Sequence, residues 1–207
     1  MFIFGRSRTA AAAHARAAMA MAVEAAERAK QVAGLQMYAW TTMFSPGVGT
    51  LVWSARVESL EELETAADKW AGDGPTMDWV EQNDHLFEGP TNDALTEVIH
   101  GTPGGEPGPY VAIVQAQWAP GKWSEAMAAG VEIVDTFSRI TGHNPLFGRS
   151  VTGAFAGLGW ITSFPDIGAS AAADAALATD AGWSDLMDRA AVCYLPGATS
   201  VLLRRLA

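Results

Sequence analysis

Within Gly49 to Val57 one side, Leu51, Trp53, Ala55 and Val57, is wholly apolar, while the other, Val52, Ser54 and Arg56, is mixed. A period of two from Leu51 to Val57 predicts a strand with one dry face. Ser59 followed by Glu62 then predicts a capping box opening a helix over Leu60 to Ala71. Gly72-Asp73-Gly74-Pro75 breaks that helix, and Pro75 suits the first turn of a short one running to about Asp84. The same succession returns 107 residues later, so that Leu51 matches Leu158, Trp53 matches Trp160, Asp73 matches Asp180 and Asp78 matches Asp185.

The remaining periodicities complete two series. In the first, residues 2–8 predict a strand, and Thr9 is placed to cap an Ala-rich helix running to about Val32 and ended by Gly34. Leu35 to Phe44 predicts the second strand, Ser45-Pro46-Gly47 a turn, Gly89-Pro90 another turn, and Asp93 to His100 the fourth strand. Gly101 to Pro109 reads as a linker. The second series predicts strands at Tyr110–Gln117, His143–Val151, Gly157–Phe164 and Thr199–Leu206, with helices at Pro120–Ile140, Asp166–Thr179 and Ala181–Ala190.

This order is βαββαβ twice, the split βαβ topology of ferredoxin-like domains. The expected fold class is α+β, with two ferredoxin-like repeats at residues 1–101 and 109–207. Each four-stranded sheet has helices on one face and leaves the other bare. Two sheets on one chain can cover each other, forming an intrachain barrel.

Composition narrows the function classes. The chain has 207 residues and a formal net charge of −10, with no basic stripe to neutralise phosphates. Nucleic acid and anionic membrane surfaces are therefore not expected partners. The lone Cys193 cannot form an intrachain disulfide. The apolar stretch near the N-terminus is interrupted by Arg6, Arg8, His14, Arg16 and Glu24, so it reads as a structural helix in a cytoplasmic protein.

The helix opening Ser59-Leu60-Glu61-Glu62-Leu63, the short helix Pro75-Thr76-Met77-Asp78-Trp79-Val80 and the Gly89-Pro90 turn resemble the dimeric α/β-barrel superfamily. That group includes NIPSNAP-like and antibiotic-biosynthesis monooxygenase-like proteins. The resemblance covers the whole chain twice, as in a tandem form whose barrel closes within one polypeptide. It implies a ligand cavity between sheet and helices in each half. Some members of such families oxidise aromatic polyketides there without a cofactor, others hold haem, and others are binding or stress proteins. The haem-degrading members use an Asn on the first strand, where this chain has Phe4-Gly5-Arg6. No cofactor is expected, with haem as the alternative.

The first long helix is expected to turn Met19, Val23, Ala26 and Ala33 inward, against Ala126, Gly130, Ile133 and Ile140 in the second copy. Smaller residues in the first copy, which also holds six of the eight methionines, suggest an apolar pocket there. The expected ligand-binding residues are Met19, Met37, Tyr38, Trp53, Trp70 and Trp79, with His85 and Asn83 as candidate catalytic groups. The competing reading is that alanines bring the helix closer to the sheet. Arg56 and Arg149 should face away from the helices, one of them paired with Glu97. No pair of histidines has metal-ligand spacing, so no metal is expected. The resemblance implies a small-molecule-binding barrel for an apolar or aromatic ligand, either a cofactor-independent monooxygenase-like enzyme or a non-catalytic binding or assembly protein. A homo-oligomer is compatible with either.

Overall fold

A computed structural model describes residues 1–47 and 49–206. The elements run β1 (Phe2–Ala10), α1 (Ala15–Arg28, continued by a wider π turn Ala29–Ala33), β2 (Met37–Met43), β3 (Thr50–Val57), α2 (Leu60–Gly72), α3 (Gly74–Asn83) and β4 (Phe87–His100). They repeat as β5 (Tyr110–Gln117), α4 (Trp123–Thr141), β6 (Leu146–Ser150), β7 (Gly157–Phe164), α5 (Ile167–Thr179), α6 (Ala181–Ala191) and β8 (Thr199–Arg205). The hydrogen-bonded order β1-β3-β2-β8-β5-β7-β6-β4 closes on itself as an eight-stranded barrel. It contains the ferredoxin-like order twice, as β4-β1-β3-β2 and β8-β5-β7-β6.

The chain divides into two compact units. One is Met1–Leu95 with the last residues from Arg204, and the other is Thr96–Leu203. The boundaries fall within β4 and β8. In the second unit the end of β4 pairs with β6, Glu97 facing Arg149 across the ladder. Their side chains meet at 2.7 Å, as expected for Glu97. In the first unit Leu206 donates its N–H to the Ala39 carbonyl at 2.8 Å.

Local chemistry explains most element ends. Ser59 accepts the Glu62 N–H at 3.2 Å, while the Glu62 carboxylate takes the Glu58 N–H at 2.8 Å. Asp73 accepts the Thr76 N–H at 3.0 Å and Asp180 the Trp183 N–H at 2.8 Å, so the paired aspartates cap equivalent helices. Gly34 and Gly142 end the two long helices in the left-handed region, at φ 72° and 75°.

Several expected boundaries differ. Thr9 does not cap α1; it pairs with Thr50 in the β1–β3 ladder, and α1 begins only at Ala15. The ladder offers Thr9 a partner strand, which outweighs a single cap bond. Gly89-Pro90 does not end a turn, because β4 already starts at Phe87 and Gly89 bends it at φ 69°. His143 precedes β6, which starts at Leu146 after the buried Pro145.

The two units pack by one plan. Leu51, Trp53, Ala55 and Val57 are buried beneath the helices, as are Leu158, Trp160, Thr162 and Phe164. The Trp53 indole N–H donates to the Ala22 carbonyl at 2.8 Å, and that of Trp160 to the Gly130 carbonyl at 3.2 Å. Phe87 lies 6.0 Å from Trp53 and Tyr194 lies 5.7 Å from Trp160. The β1–β3 register sets Phe2 opposite Val57, and the β5–β7 register sets Tyr110 opposite Phe164. The copies are therefore related by 108 residues up to β2 and by 107 from β3 onward. The connection at 44–48 has one residue more than that at 152–155.

That residue corrects the expected helix face. The positions of α1 that are buried are Ala18 and Ala22, continued by Ala29 and Ala33, matching Ala126 and Gly130 of α4. Met19 is exposed and Val23 only half-buried. Where the ladders align, Ala39 in β2 corresponds to Phe147 in β6. The second unit thus pairs Gly130 with a large ring, and the first pairs Ala22 with Ala39. Tyr194 donates its hydroxyl to the Ala126 carbonyl at 3.0 Å; burial, and secondarily nearby Cys193, push its ionisation well above the usual tyrosine range.

Candidate functional site

The expected pocket residues do not gather around one apolar opening. Met19 is 36% exposed on the outer side of α1, whereas Trp53 is sealed against Ala22. Met37 packs beside Trp53, but Tyr38 turns to the other face of β2, near Trp40 and under Arg205. Trp70 closes α2, its carbonyl accepting the Asp73 N–H at 3.3 Å. Trp79 carries the Arg28 guanidinium over its ring at 4.4 Å. Asn83 spends its amide N–H on the Trp79 carbonyl at 2.8 Å. A groove of about 550 Å³ runs along Ala20, Val23, Glu24, Glu27, Arg28 and Gln31, and it is open and polar.

His85 does belong to a cluster. Its turn, Asp84–Leu86, is tied to the end of β1 by the Ala11 N–H on the Leu86 carbonyl at 2.9 Å. That bond brings the stretch before α1 alongside, so the His14 and His85 rings meet edge to face at 5.6 Å. His85 Nδ1 lies 2.9 Å from the Gln82 carbonyl. A carbonyl only accepts, so Nδ1 is the donor, and in the neutral ring Nε2 is the nitrogen that carries the lone pair. Next to it, Arg8 donates from Nη1 to Asp84 Oδ1 at 2.7 Å and lies over the Phe87 ring at 4.5 Å. The Arg8 side chain is 16% exposed, and its Nε is buried without an acceptor.

The second unit has none of this chemistry at the equivalent positions. Arg8, His14, Asp84 and His85 correspond to Ala116, Lys122, Ala191 and Val192. There, Trp118 meets Trp123 at 4.6 Å and Phe155 at 6.1 Å, and Val192 is exposed. Of this cluster the sequence singled out His85 as a candidate and not Arg8 or His14. Comparing the copies at a spacing of 108 through β1 and α1 would have marked both.

The other histidines are engaged elsewhere: His100 Nε2 contacts Asp135 at 2.8 Å, and His143 lies against Phe164 at 4.8 Å. Among the described residues no three His, Cys, Asp or Glu side chains converge as a metal site, and no helix is long and apolar enough to cross a membrane.

No family model and no curated protein matches the chain. Solved structures do. A candidate monooxygenase from Fusobacterium nucleatum subsp. nucleatum ATCC 25586 superposes with TM-score 0.72 at 10% identity, over 100% of this chain and 92% of that one. An anthrone oxidase-like protein gives TM-score 0.65 at 15% identity, over 99% and 90%. A NIPSNAP family protein from Agrobacterium tumefaciens str. C58 covers 52% of this chain and 91% of its own, with TM-score 0.43 and 17% identity. The chain has the fold of the dimeric α/β-barrel proteins, carried twice in one polypeptide.

Proposed function

We propose that this barrel binds a small aromatic or apolar molecule and oxidises it as a cofactor-independent monooxygenase, with His85 as the base. The observation that carries the proposal is the His85 ring: its Nδ1 is committed to the Gln82 carbonyl, which leaves Nε2 to face a substrate, and His14 and Arg8 accompany it in the first unit alone. In the proposed reaction Nε2 takes a proton from an activated methylene of the substrate. The resulting carbanion gives electrons to dioxygen. One oxygen atom stays on carbon as a carbonyl, and the other leaves as water with the two methylene hydrogens. Asn83, whose amide nitrogen is held by Trp79, contributes a carbonyl oxygen as a polar contact. The full-length likeness to an anthrone oxidase-like protein supports the choice of a ring-flanked methylene as probe.

The second reading is binding without catalysis. It is favoured by the filled space beneath α1, where Trp53 reaches the Ala22 carbonyl at 2.8 Å. Oxygen uptake with anthrone separates the two. Native mass spectrometry of the purified protein identifies any retained ligand alongside. A positioned general base contributes roughly 100-fold or more, so His85→Ala should lose at least that factor while its thermal melt is unchanged. Uptake no faster than the uncatalysed rate would leave the binding reading in its place.

A further inference from the structure

In the second unit the chain leaving β5 runs between two loops. Trp118 donates its N–H to the Ala156 carbonyl at 3.1 Å, Ala119 to the Cys193 carbonyl at 2.8 Å, and Leu195 to the Gln117 carbonyl at 2.8 Å. These bonds gather Trp118, Phe155, Val192 and Leu195 at one end of the unit, and Trp123 joins them through its ring contact with Trp118 at 4.6 Å. Much of this surface stands in water: Phe155 is 91% exposed, Val192 70%, Trp123 41% and Leu195 39%. At the positions of Trp118, Trp123, Val192 and Leu195 the first unit has Ala10, Ala15, His85 and Glu88. The fold therefore does not require large apolar groups there. Leaving them in water forgoes the gain that burial would bring.

We propose that this aromatic end is the contact surface of a homodimer, covered by a second copy of the chain about a two-fold axis, with Phe155 as the anchor. Charge selects the occupant. Residues 111–121, 151–157 and 190–203 contain no Asp, Glu, Lys or Arg, and at the rim Lys122 is held by Glu125 at 3.1 Å. Two copies of net charge −10 repel where their carboxylates meet, and here they can touch without bringing unpaired ones together. A basic protein, a nucleic acid or an anionic surface finds nothing in these segments to pair with. Size agrees with the same occupant. With a free aromatic side chain at about 150–250 Å² and the aliphatic ones somewhat less, Trp123, Phe155, Val192 and Leu195 still show roughly 450 Å² to water. A stable interface buries about 800 Å² on each partner, of which roughly 60% is apolar, or about 480 Å². A two-fold contact needs one such patch that matches itself, and exposed aromatic rings are the usual anchors.

Sedimentation velocity of the full chain across a range of protein concentrations reads the association directly. The natural chain should sediment as a dimer that dissociates on dilution, and added salt should tighten it by screening the two net charges. Phe155→Ser should weaken the dimer roughly tenfold or more, as loss of an anchor does. Val192→Glu sets a carboxylate from each copy into the contact and should weaken it at least as much. Phe44→Ser is the control, since Phe44 is 87% exposed in the first unit, and it should leave the association unchanged. All three side chains stand mostly in solvent, so far-UV circular dichroism of each variant should match that of the natural chain. A monomer at every concentration, a dimer indifferent to both Phe155→Ser and Val192→Glu, or one weakened equally by Phe44→Ser would overturn the proposal. So would a monomer that instead uses this end to bind phosphatidylcholine vesicles. None of these readouts depends on the proposed oxidation.

Discussion

Gly130 and Phe147 are expected to show opposite mutational effects in two backgrounds. A Cβ on Gly130 would lie 2.2 Å from the Phe147 Cζ and 2.5 and 2.6 Å from its Cε atoms. The ring cannot retreat: it is fully buried and stacked on Trp160 with centroids 5.2 Å apart. Overpacking of a tight core costs about 1–3 kcal/mol, and a contact this short belongs at the upper end. Replacing glycine by alanine inside a helix returns about 1 kcal/mol. Gly130→Ala should therefore lose about 2 kcal/mol. Phe147→Ala should lose about 3–5 kcal/mol by emptying the site. In that background the added methyl meets no ring, so Gly130→Ala should instead gain about 1 kcal/mol from helix propensity, with a little more from refilled space. The coupling energy is then about 3 kcal/mol, large for a contacting pair. Chemical denaturation of the four proteins reads it from the midpoints at constant slope. A neutral Gly130→Ala in the natural background, or additive effects, would refute the packing argument. The double substitution also recreates the alanine pair that Ala22 and Ala39 form in the first unit.

Two further outcomes follow from the caps and the buried tyrosine. Asp73→Ala and Asp180→Ala should each destabilise by about 1 kcal/mol, since each removes one N-terminal acceptor from an equivalent helix; thermal melts that left either variant unshifted would contradict the assigned caps. Tyr194 has its folded-state ionisation raised by burial, so the unfolded chain loses that proton first and stability falls as pH rises through the ordinary tyrosine range near 10. The melting temperature of the natural protein should therefore drop more steeply above about pH 10 than that of Tyr194→Phe, and parallel curves would contradict it.

The architecture was legible because its signals are local. Ser59 with Glu62, Asp73 with its twin Asp180, and Gly34 after an Ala-rich run each act within a few residues. The buried face of β3 was equally plain, because alternation survives any misjudged boundary. What failed was anything that needed register over distance. A single extra residue at 44–48 rotates an α-helix assignment by about 100°, which moved Met19 into the place that Ala18 occupies. The same shift hides Arg8 and His14, since a spacing of 107 pairs each with a neighbour of its true counterpart. Ala39 and Phe147 exchange volume with residues on another element, and no periodicity within one strand carries that information. Nor does a strand pattern reveal that β4 begins at Phe87, where a left-handed glycine bends the backbone rather than ending the ladder.

The unlike contents of the two matching positions bear on why such a barrel would be carried on one chain. When two identical polypeptides assemble, every substitution appears twice, so an ionic cluster at one end obliges the same cluster at the other. Fusion lifts that obligation. One copy can keep Arg8, His14 and His85 while the other carries Ala116, Lys122 and Val192, and a selective change in either leaves its sibling untouched.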